Sequence, residues 1–156
     1  MAKLYLLGGI QGSGKTTYSR MNKERLNAHV ISTDYIRKNF QPIEEKDVFP
    51  TAYKLTAEYL NNGENVIFDA TNINKEVRYQ NVSAIKRLVN TNIEIICLFL
   101  NTNVDLCKSR VEVRNTKDGE IFIPLDVIEN YSQKVEMPSE DEGFNEIIII
   151  DNYLVY

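Results

Sequence analysis

A glycine-rich stretch near the N-terminus constrains this sequence more than any other feature. Residues 8–17 read GGIQGSGKTT and directly follow the apolar run KLYLL. They fill the pattern G-x-x-x-x-G-K-[ST], in which glycines let the backbone fold so that successive N–H groups point at a phosphate. A helix that starts after the loop presents its positive end to the same phosphate. The sequence therefore predicts a strand–loop–helix unit that holds a nucleoside triphosphate.

The residue types in the loop predict individual roles. The ammonium group of Lys15 reaches the β- and γ-phosphates, and the hydroxyl of Thr16 is a ligand for Mg²⁺. ATP or GTP with Mg²⁺ is the expected ligand, and we favour ATP. The residues expected to bind the nucleotide through this loop are Gly9, Gly12, Ser13, Gly14, Lys15, Thr16 and Thr17.

Apolar runs alternate with segments of helical period along the rest of the 156 residues. This alternation predicts one α/β domain over residues 1–156 with a parallel sheet. Several of the runs are continuously apolar, as expected for strands that are covered on both faces. The predicted strands are residues 4–7, 29–32, 65–68, 93–100 and 146–151.

Helical periodicity and capping residues predict the intervening helices. One runs from Thr16 to about Arg25, one lies within 50–63, and one runs from Lys75 to Val89 with Asn74 as its cap. Thr102 stands three residues before Asp105, which predicts a capping box at the start of the next helix. Pro124 fits the first turn of the last helix, and residues 137–145 form a polar connector.

Composition restricts the class of protein. No apolar run approaches the ~20 residues that a membrane-spanning helix needs, and the N-terminus is interpreted as a strand, so a cytoplasmic protein is expected. The net charge is −4. This acidity argues against coating a long nucleic acid, but it leaves room for gripping a single strand end. The two cysteines have no metal-binding spacing.

The residues after the predicted strands indicate how the triphosphate is used. A hydrolysing motor usually has a glutamate after the acidic end of a strand, whereas Ala70 follows Asp69 here. A switch GTPase needs D-x-x-G, which is absent, and N-K-x-D, to which NTKD at 115–118 is only a near match. Phosphoryl transfer is the remaining use, and it needs a base, cations around the phosphoryl group and exclusion of water.

Two segments supply candidates for the acceptor side. VISTDYIR places Asp34 after a strand and Arg37 three residues further on, where both share one side of a helical turn. Asp34 can accept the proton of an acceptor hydroxyl, and Arg37 can hold an anionic group of the acceptor. Asp69 ends the next strand, where it can hold a Mg²⁺-bound water. Thr71 and Asn72 either line this edge or cap the turn.

Two arginines and the last strand supply candidates for the donor side. Arg110 and Arg114 are four apart on a predicted helix face, and a polar glycine-containing stretch follows them. We predict a mobile lid over about 103–123, whose arginines stabilise the negative charge of the transferred phosphoryl group. Asn152, at the end of the last strand, can contact the adenine or can be an ordinary polar strand end.

These motifs resemble those of P-loop kinases related to polynucleotide 5′-hydroxyl kinases, both the phage type and the kinase module of bacterial RNA-repair enzymes. The similarity rests on GIQGSGKTT, VISTDYIR, VIFDATNINKEVR, LCKSRVEVR and IPLDVIENY, in that order and over nearly the whole chain.

The resemblance implies an adenylate-kinase-like three-layer fold with a five-stranded parallel sheet and a helical lid. It also implies transfer of the γ-phosphate of ATP to a 5′-OH of RNA or DNA. Matching positions make Asp34 the base, Arg37 the ligand of the acceptor phosphate, Asp69 a metal-shell acid and Arg114 the lid arginine.

Two other functions stay open on the sequence. Related kinases of small hydroxylated molecules, such as nucleosides, sugars or antibiotics, share parts of the same motifs. A nucleotide-binding module without transfer activity also fits the loop. The sequence does not specify the acceptor or the oligomeric state.

Overall fold

A five-stranded parallel sheet forms the centre of the molecule in the structure, a computed structural model that describes residues 1–154. Every neighbouring pair of strands is parallel, and the order across the sheet is β2-β3-β1-β4-β5. This confirms the predicted α/β class and all five predicted strands. The strands are β1 (Ala2–Gly8), β2 (Ala28–Ser32), β3 (Asn65–Asp69), β4 (Ile93–Asn101) and β5 (Glu146–Asp151).

Helices connect the strands and cover the sheet. Within residues 1–154 there are six α-helices and one short 3₁₀-helix, Glu140–Glu142, which lies in the segment predicted as a polar connector. The α-helices are α1 (Lys15–Asn22), α2 (Thr33–Asn39), α3 (Glu45–Asn61), α4 (Lys75–Leu88), α5 (Val104–Asn115) and α6 (Leu125–Gln133). None of them is both long and apolar enough to span a bilayer.

The core lies on both faces of the sheet. On one face, Leu4, Leu6 and Phe68 are fully buried together with residues of α3 and α4. On the other face, Leu7 and Leu98 pack with Tyr18 of α1. Since alternate residues of the same strand are buried on opposite faces, the strands need continuous apolar runs, which is the pattern seen in the sequence.

Several helix boundaries differ from the sequence prediction. Helix α4 ends at Leu88 rather than Val89, and Pro124 is the residue directly before α6 rather than part of its first turn. Helix α1 ends at Asn22 rather than near Arg25. Helix α3 runs from Glu45 to Asn61, so it begins before the predicted segment 50–63 and contains Pro50. Helix α4 is capped as predicted, because the side chain of Asn74 accepts the N–H of Val77 at 2.9 Å.

The predicted capping box at Thr102 is wrong. Asn103 caps α5 instead, and its side-chain oxygen accepts the N–H groups of Asp105 at 2.8 Å and Leu106 at 3.4 Å. The hydroxyl of Thr102 donates to the carbonyl of Ser13 at 2.8 Å in a buried position. A buried carbonyl without a hydrogen-bond donor is costly. Thr102 supplies the donor for the carbonyl of Ser13, and the next residue, Asn103, caps the helix.

The register of the strands places the candidate residues at one edge. Leu7 and Ser32 both pair with Asp69, and Gly8 pairs with Phe99 near the end of β4. The carboxyl ends of β2, β3, β1 and β4 therefore meet at the same edge, and the glycine-rich loop leaves β1 in the middle of it.

Candidate functional site

The glycine-rich loop, residues 8–15, is held in place by its neighbours on both sides. The N–H of Gly9 donates to the carbonyl of Thr71 at 2.8 Å. Gly12 has a φ of +81°, and a Cβ there would lie 2.5 Å from the carbonyl oxygen of Cys107 in α5. Gly14, with a φ of 109°, precedes the first residue of α1. The backbone path thus needs glycine at these positions, and α1 starts where the sequence predicted a phosphate at its positive end.

Lys15 lies across this loop. Its Nζ donates to the carbonyls of Gly9 at 2.8 Å and Ile10 at 3.3 Å. Burial lowers the pKa of Lys15. The carboxylates of Asp69 and Asp34 oppose this shift, whereas the guanidinium of Arg114 adds to it. Lys15 is therefore within electrostatic reach of Asp69, Asp34 and Arg114 at this edge of the sheet.

Asp69 is almost fully buried at the end of β3. Burial raises its pKa to about 6, which Lys15 opposes and Asp34 reinforces. Thr16 is exposed at the start of α1, whereas Thr17 is buried.

Thr16 and Asp69 provide oxygen donors of the kind that Mg²⁺ prefers. The described residues 1–154 contain no group of three or more His, Cys, Asp or Glu that could hold a metal. This donor set fits a Mg²⁺ that takes most of its ligands from phosphates and water.

Asp34 and Arg37 meet on α2, as their spacing predicts. Ser32 caps this helix by accepting the N–H of Tyr35 at 3.1 Å, which starts the helix directly after β2. Nη1 of Arg37 donates to the Asp34 carboxylate at 2.8 Å. The side chain of Asp34 is 64% exposed, so this carboxylate is accessible from solvent.

Glu45 is a member of this cluster that sequence reasoning missed. Nε of Arg37 donates to both carboxylate oxygens of Glu45, at 3.1 and 3.0 Å, and Nη2 donates to one of them at 2.7 Å. Glu45 is the first residue of α3. The charged run IEEKD gives no signal for this contact unless the start of α3 is already known.

Arg110 and Arg114 have different surroundings although they share one helix. The guanidinium of Arg110 donates to the carbonyls of Gly12 at 3.1 Å and Tyr153 at 2.7 Å. It therefore ties the loop to the residues after β5. Nε of Arg114 is buried and has no hydrogen-bond partner within residues 1–154.

Asn152 lies at the turn after β5. Its backbone is left-handed, with a φ of 48°, and its side-chain oxygen accepts the N–H of Asn103 at 2.9 Å. A cavity of about 650 Å³ opens beside this turn and is lined by Ile10, Thr102 and Asn152 among others. Asn152 thus lines a space next to the loop while also fixing the start of α5.

Asn72 has a structural role beside the loop. It is fully buried, and its side chain donates to the carbonyl of Leu7 at 2.8 Å and accepts from Asn81 at 2.7 Å. Its own carbonyl accepts from Arg78, which is also fully buried, at 2.9 Å. This network holds the end of β1 and was not predicted, because the contacts join residues far apart in the sequence.

A family comparison agrees with the loop and the sheet. A model of the AAA domain family (AAA_33) matches residues 4–138. The chain belongs to this family. No curated protein sequence matches the chain.

Solved structures share the fold at low sequence identity. Kti12 from Chaetomium thermophilum, in complex with ADP–AlF₃, is 22% identical with a TM-score of 0.73, and the match covers 95% of this chain and 88% of that one. A fungal RNA kinase is 17% identical with a TM-score of 0.69, covering 99% and 76%. A gluconokinase from Sinorhizobium meliloti is 17% identical with a TM-score of 0.62, covering 98% and 84%. The AAA domain chain described here thus has a P-loop kinase fold, and nucleotide binding follows from its family.

Proposed function

We propose that this AAA domain protein is an ATP-dependent kinase that transfers the γ-phosphoryl group to a hydroxyl, with a 5′-OH of RNA or DNA as the acceptor. One observation carries the proposal. The charge of Lys15 interacts with those of Asp69, Asp34 and Arg114 at the edge where the loop leaves the sheet, and Asp69 also interacts with Asp34. A donor site and an exposed carboxylate for an acceptor are thereby adjacent.

Each residue has a step in this mechanism. The loop amides and Lys15, once it leaves the carbonyls of Gly9 and Ile10, hold the phosphates of ATP. Asp34 accepts the proton of the attacking hydroxyl, and Arg114 donates to the oxygens of the phosphoryl group in flight. Thr16, directly, and Asp69, through a water, would hold a Mg²⁺, which would supply positive charge to offset the charge that develops on the phosphate oxygens.

Arg110 and the segment around it have supporting roles in the proposal. Because Arg110 holds the carbonyl of Gly12 outward, the N–H groups of the loop stay directed at the phosphates. Residues 103–123 act as the lid of a single kinase domain spanning 1–156. The turn at Asn152 contacts the adenine.

The acceptor is proposed from Arg37 and from the comparisons. A fungal RNA kinase is among the structures with this fold. Arg37 offers a planar guanidinium next to Asp34, and such a group binds a phosphate of a nucleotide chain well.

A small hydroxylated acceptor is the second candidate, and a specific contact favours it. Arg37 is already paired with both Asp34 and Glu45, so an anionic acceptor meets two carboxylates around one guanidinium. A gluconokinase shares this fold, so the fold also serves small hydroxylated acceptors. Among such acceptors, a neutral polyol avoids the competition with the two carboxylates.

The deciding experiment is a transfer assay with γ-labelled ATP, 5′-OH oligonucleotides of RNA and DNA, and a panel of small alcohols. Transfer to an oligonucleotide supports the leading proposal. Transfer only to a small alcohol supports the second candidate. Binding of ATP without transfer to any acceptor contradicts both and indicates a nucleotide-binding module.

The assignment of the base is tested by Asp34→Ala. Loss of a general base lowers kcat by roughly 10²–10⁴-fold. Asp126→Ala is the matched control, because Asp126 is also an exposed acid in the first turn of a helix. Wild-type transfer by Asp34→Ala to every acceptor contradicts the assignment.

A further inference from the structure

Gln11 is a polar side chain inside the loop that the motif does not explain. It occupies one of the positions in G-x-x-x-x-G-K-[ST] that any residue can fill. Its side-chain oxygen Oε1 is buried and has no hydrogen-bond partner within residues 1–154. A buried carboxamide oxygen without a donor is unfavourable. A conformation that exposes this oxygen when a ligand enters would therefore relieve that cost.

The amide nitrogen of Gln11 differs from the oxygen in its surroundings. Nε2 is not among the buried polar atoms that lack a partner, and it makes no hydrogen bond to the described part of the chain. The donor capacity of Nε2 is therefore unused within residues 1–154. In this orientation of the amide, the buried atom is the acceptor and the outer atom is the donor.

Lys15 shows which end of the loop Gln11 occupies. Nζ of Lys15 lies 3.3 Å from the carbonyl oxygen of Ile10, and that carbonyl belongs to the peptide bond that joins Ile10 to Gln11. In this motif the lysine serves the β- and γ-phosphates. The backbone at Gln11 is thus next to the ammonium group that this motif directs at the terminal phosphates, whereas Gly14 lies at the other end of the loop, directly before α1.

The neighbouring helix α5 carries a second unpartnered donor about one turn from its contact with the loop. A Cβ on Gly12 would lie 3.0 Å from a methyl group of Val111 in α5, so the residue next to Gln11 contacts this helix. Arg114 is three residues beyond Val111 and shares its face of the helix. Its buried Nε also lacks a partner within residues 1–154.

We propose that the carboxamide of Gln11 binds the terminal phosphoryl group of the nucleotide through its N–H₂ group. Turning toward the phosphate takes Oε1 out of its unpaired buried position and gives Nε2 a charged acceptor. This inference rests on the proposed function only in taking a triphosphate as the ligand of the loop. It adds a phosphate ligand that the sequence motif does not assign.

The test compares nucleotides with and without the terminal group. Gln11→Ala, Gln11→Glu and wild type are titrated with Mg²⁺ and ADP, with ADP plus aluminium fluoride, and with a non-hydrolysable ATP analogue, by calorimetry. We expect Gln11→Ala to bind ADP as wild type does and the other two ligands about tenfold more weakly, since a hydrogen bond to a charged group is lost. Gln11→Glu weakens those two ligands further, because its carboxylate repels the phosphate.

Gln80→Ala is the matched control, because Gln80 is an exposed glutamine on α4. Equal affinity of Gln11→Ala and wild type for all three ligands overturns the inference. An equal loss for all three, ADP included, also overturns it, because the residue then shapes the loop as a whole. These are binding measurements, so failure of transfer to every acceptor contradicts the proposed kinase without touching this result.

Discussion

Burial acts in opposite directions on the two charges that face each other behind the loop. It lowers the pKa of Lys15 and raises that of Asp69 to about 6, although each charge favours the other. Asp69 therefore titrates close to neutral pH, where an ordinary aspartate stays ionised. A carboxylate that must be ionised to hold a Mg²⁺-bound water then makes the activity sensitive to mild acid.

We expect kcat/KM to fall as the pH decreases through about 6, because Asp69 takes up a proton there. Below that pH the loss is about tenfold per pH unit for a single essential group. Asp69→Asn lowers the rate at neutral pH and removes this acid limb, which a pH–rate profile of both proteins measures. A limb that persists unchanged in Asp69→Asn would assign the titration to another group.

The same titration affects the stability of the empty protein. The pKa of Asp69 is higher in the folded chain, about 6, than the ordinary value of 3.8. The folded state therefore binds more protons than the unfolded state between these values, and stability decreases as the pH rises through this window. Urea unfolding at a series of pH values measures this effect. We expect the free energy of unfolding to decrease with pH in wild type and to change less with pH in Asp69→Asn. Equal slopes for the two proteins contradict the raised pKa.

At the scale of elements, the features that the sequence predicts best are those that a local residue pattern determines. The five strands follow from continuous apolar runs, and the loop follows from GGIQGSGKTT. The contacts of Thr102 and Glu45 do not follow, because each depends on a carbonyl or a guanidinium contributed by another element of the fold. Thr102 has the residue type of a cap but bonds to Ser13. Asp34 and Arg37 were predictable together because both lie within one turn of α2.

The bond between Arg37 and Glu45 joins α2 to α3 at the acceptor side. The side chain of Glu45 is 70% exposed, so the pair contributes little to stability, but its negative charge lies next to the guanidinium proposed to bind a phosphate. Glu45→Gln keeps one oxygen that can orient Arg37 and removes the charge. We expect this variant to bind a nucleoside 3′-phosphate about two- to fivefold more tightly, in line with the worth of an exposed ion pair.

Calorimetric titration of wild type, Glu45→Gln and Glu44→Gln measures this effect. Glu44 is the neighbouring exposed acid and pairs with Lys46 instead of Arg37, so its variant should bind as wild type does. Weaker binding by Glu45→Gln would show that the carboxylate orients Arg37 more than it competes with the ligand.

At the scale of the whole molecule, a buried ion pair connects the site to the 3₁₀-helix that precedes β5. Nε and Nη2 of Arg78 donate to the two carboxylate oxygens of Glu142 at 2.7 and 3.0 Å, and Nη1 donates to the carbonyl of Asn72. Arg78 is fully buried and Glu142 is 10% exposed. The 3₁₀-helix that carries Glu142 is thereby fixed to the end of β1 through Asn72 and Leu7.

Removing one partner of this pair leaves a buried charge without compensation. We expect Arg78→Met and Glu142→Gln each to lower the free energy of unfolding by about 3–5 kcal/mol, which is typical for a broken buried ion pair. The double variant should lose less than the sum of the two, because each single change already removes the interaction. Urea denaturation of the four proteins gives the coupling energy. Additive losses would mean that Arg78 stabilises the fold mainly through Asn72, and that Glu142 contributes independently of it.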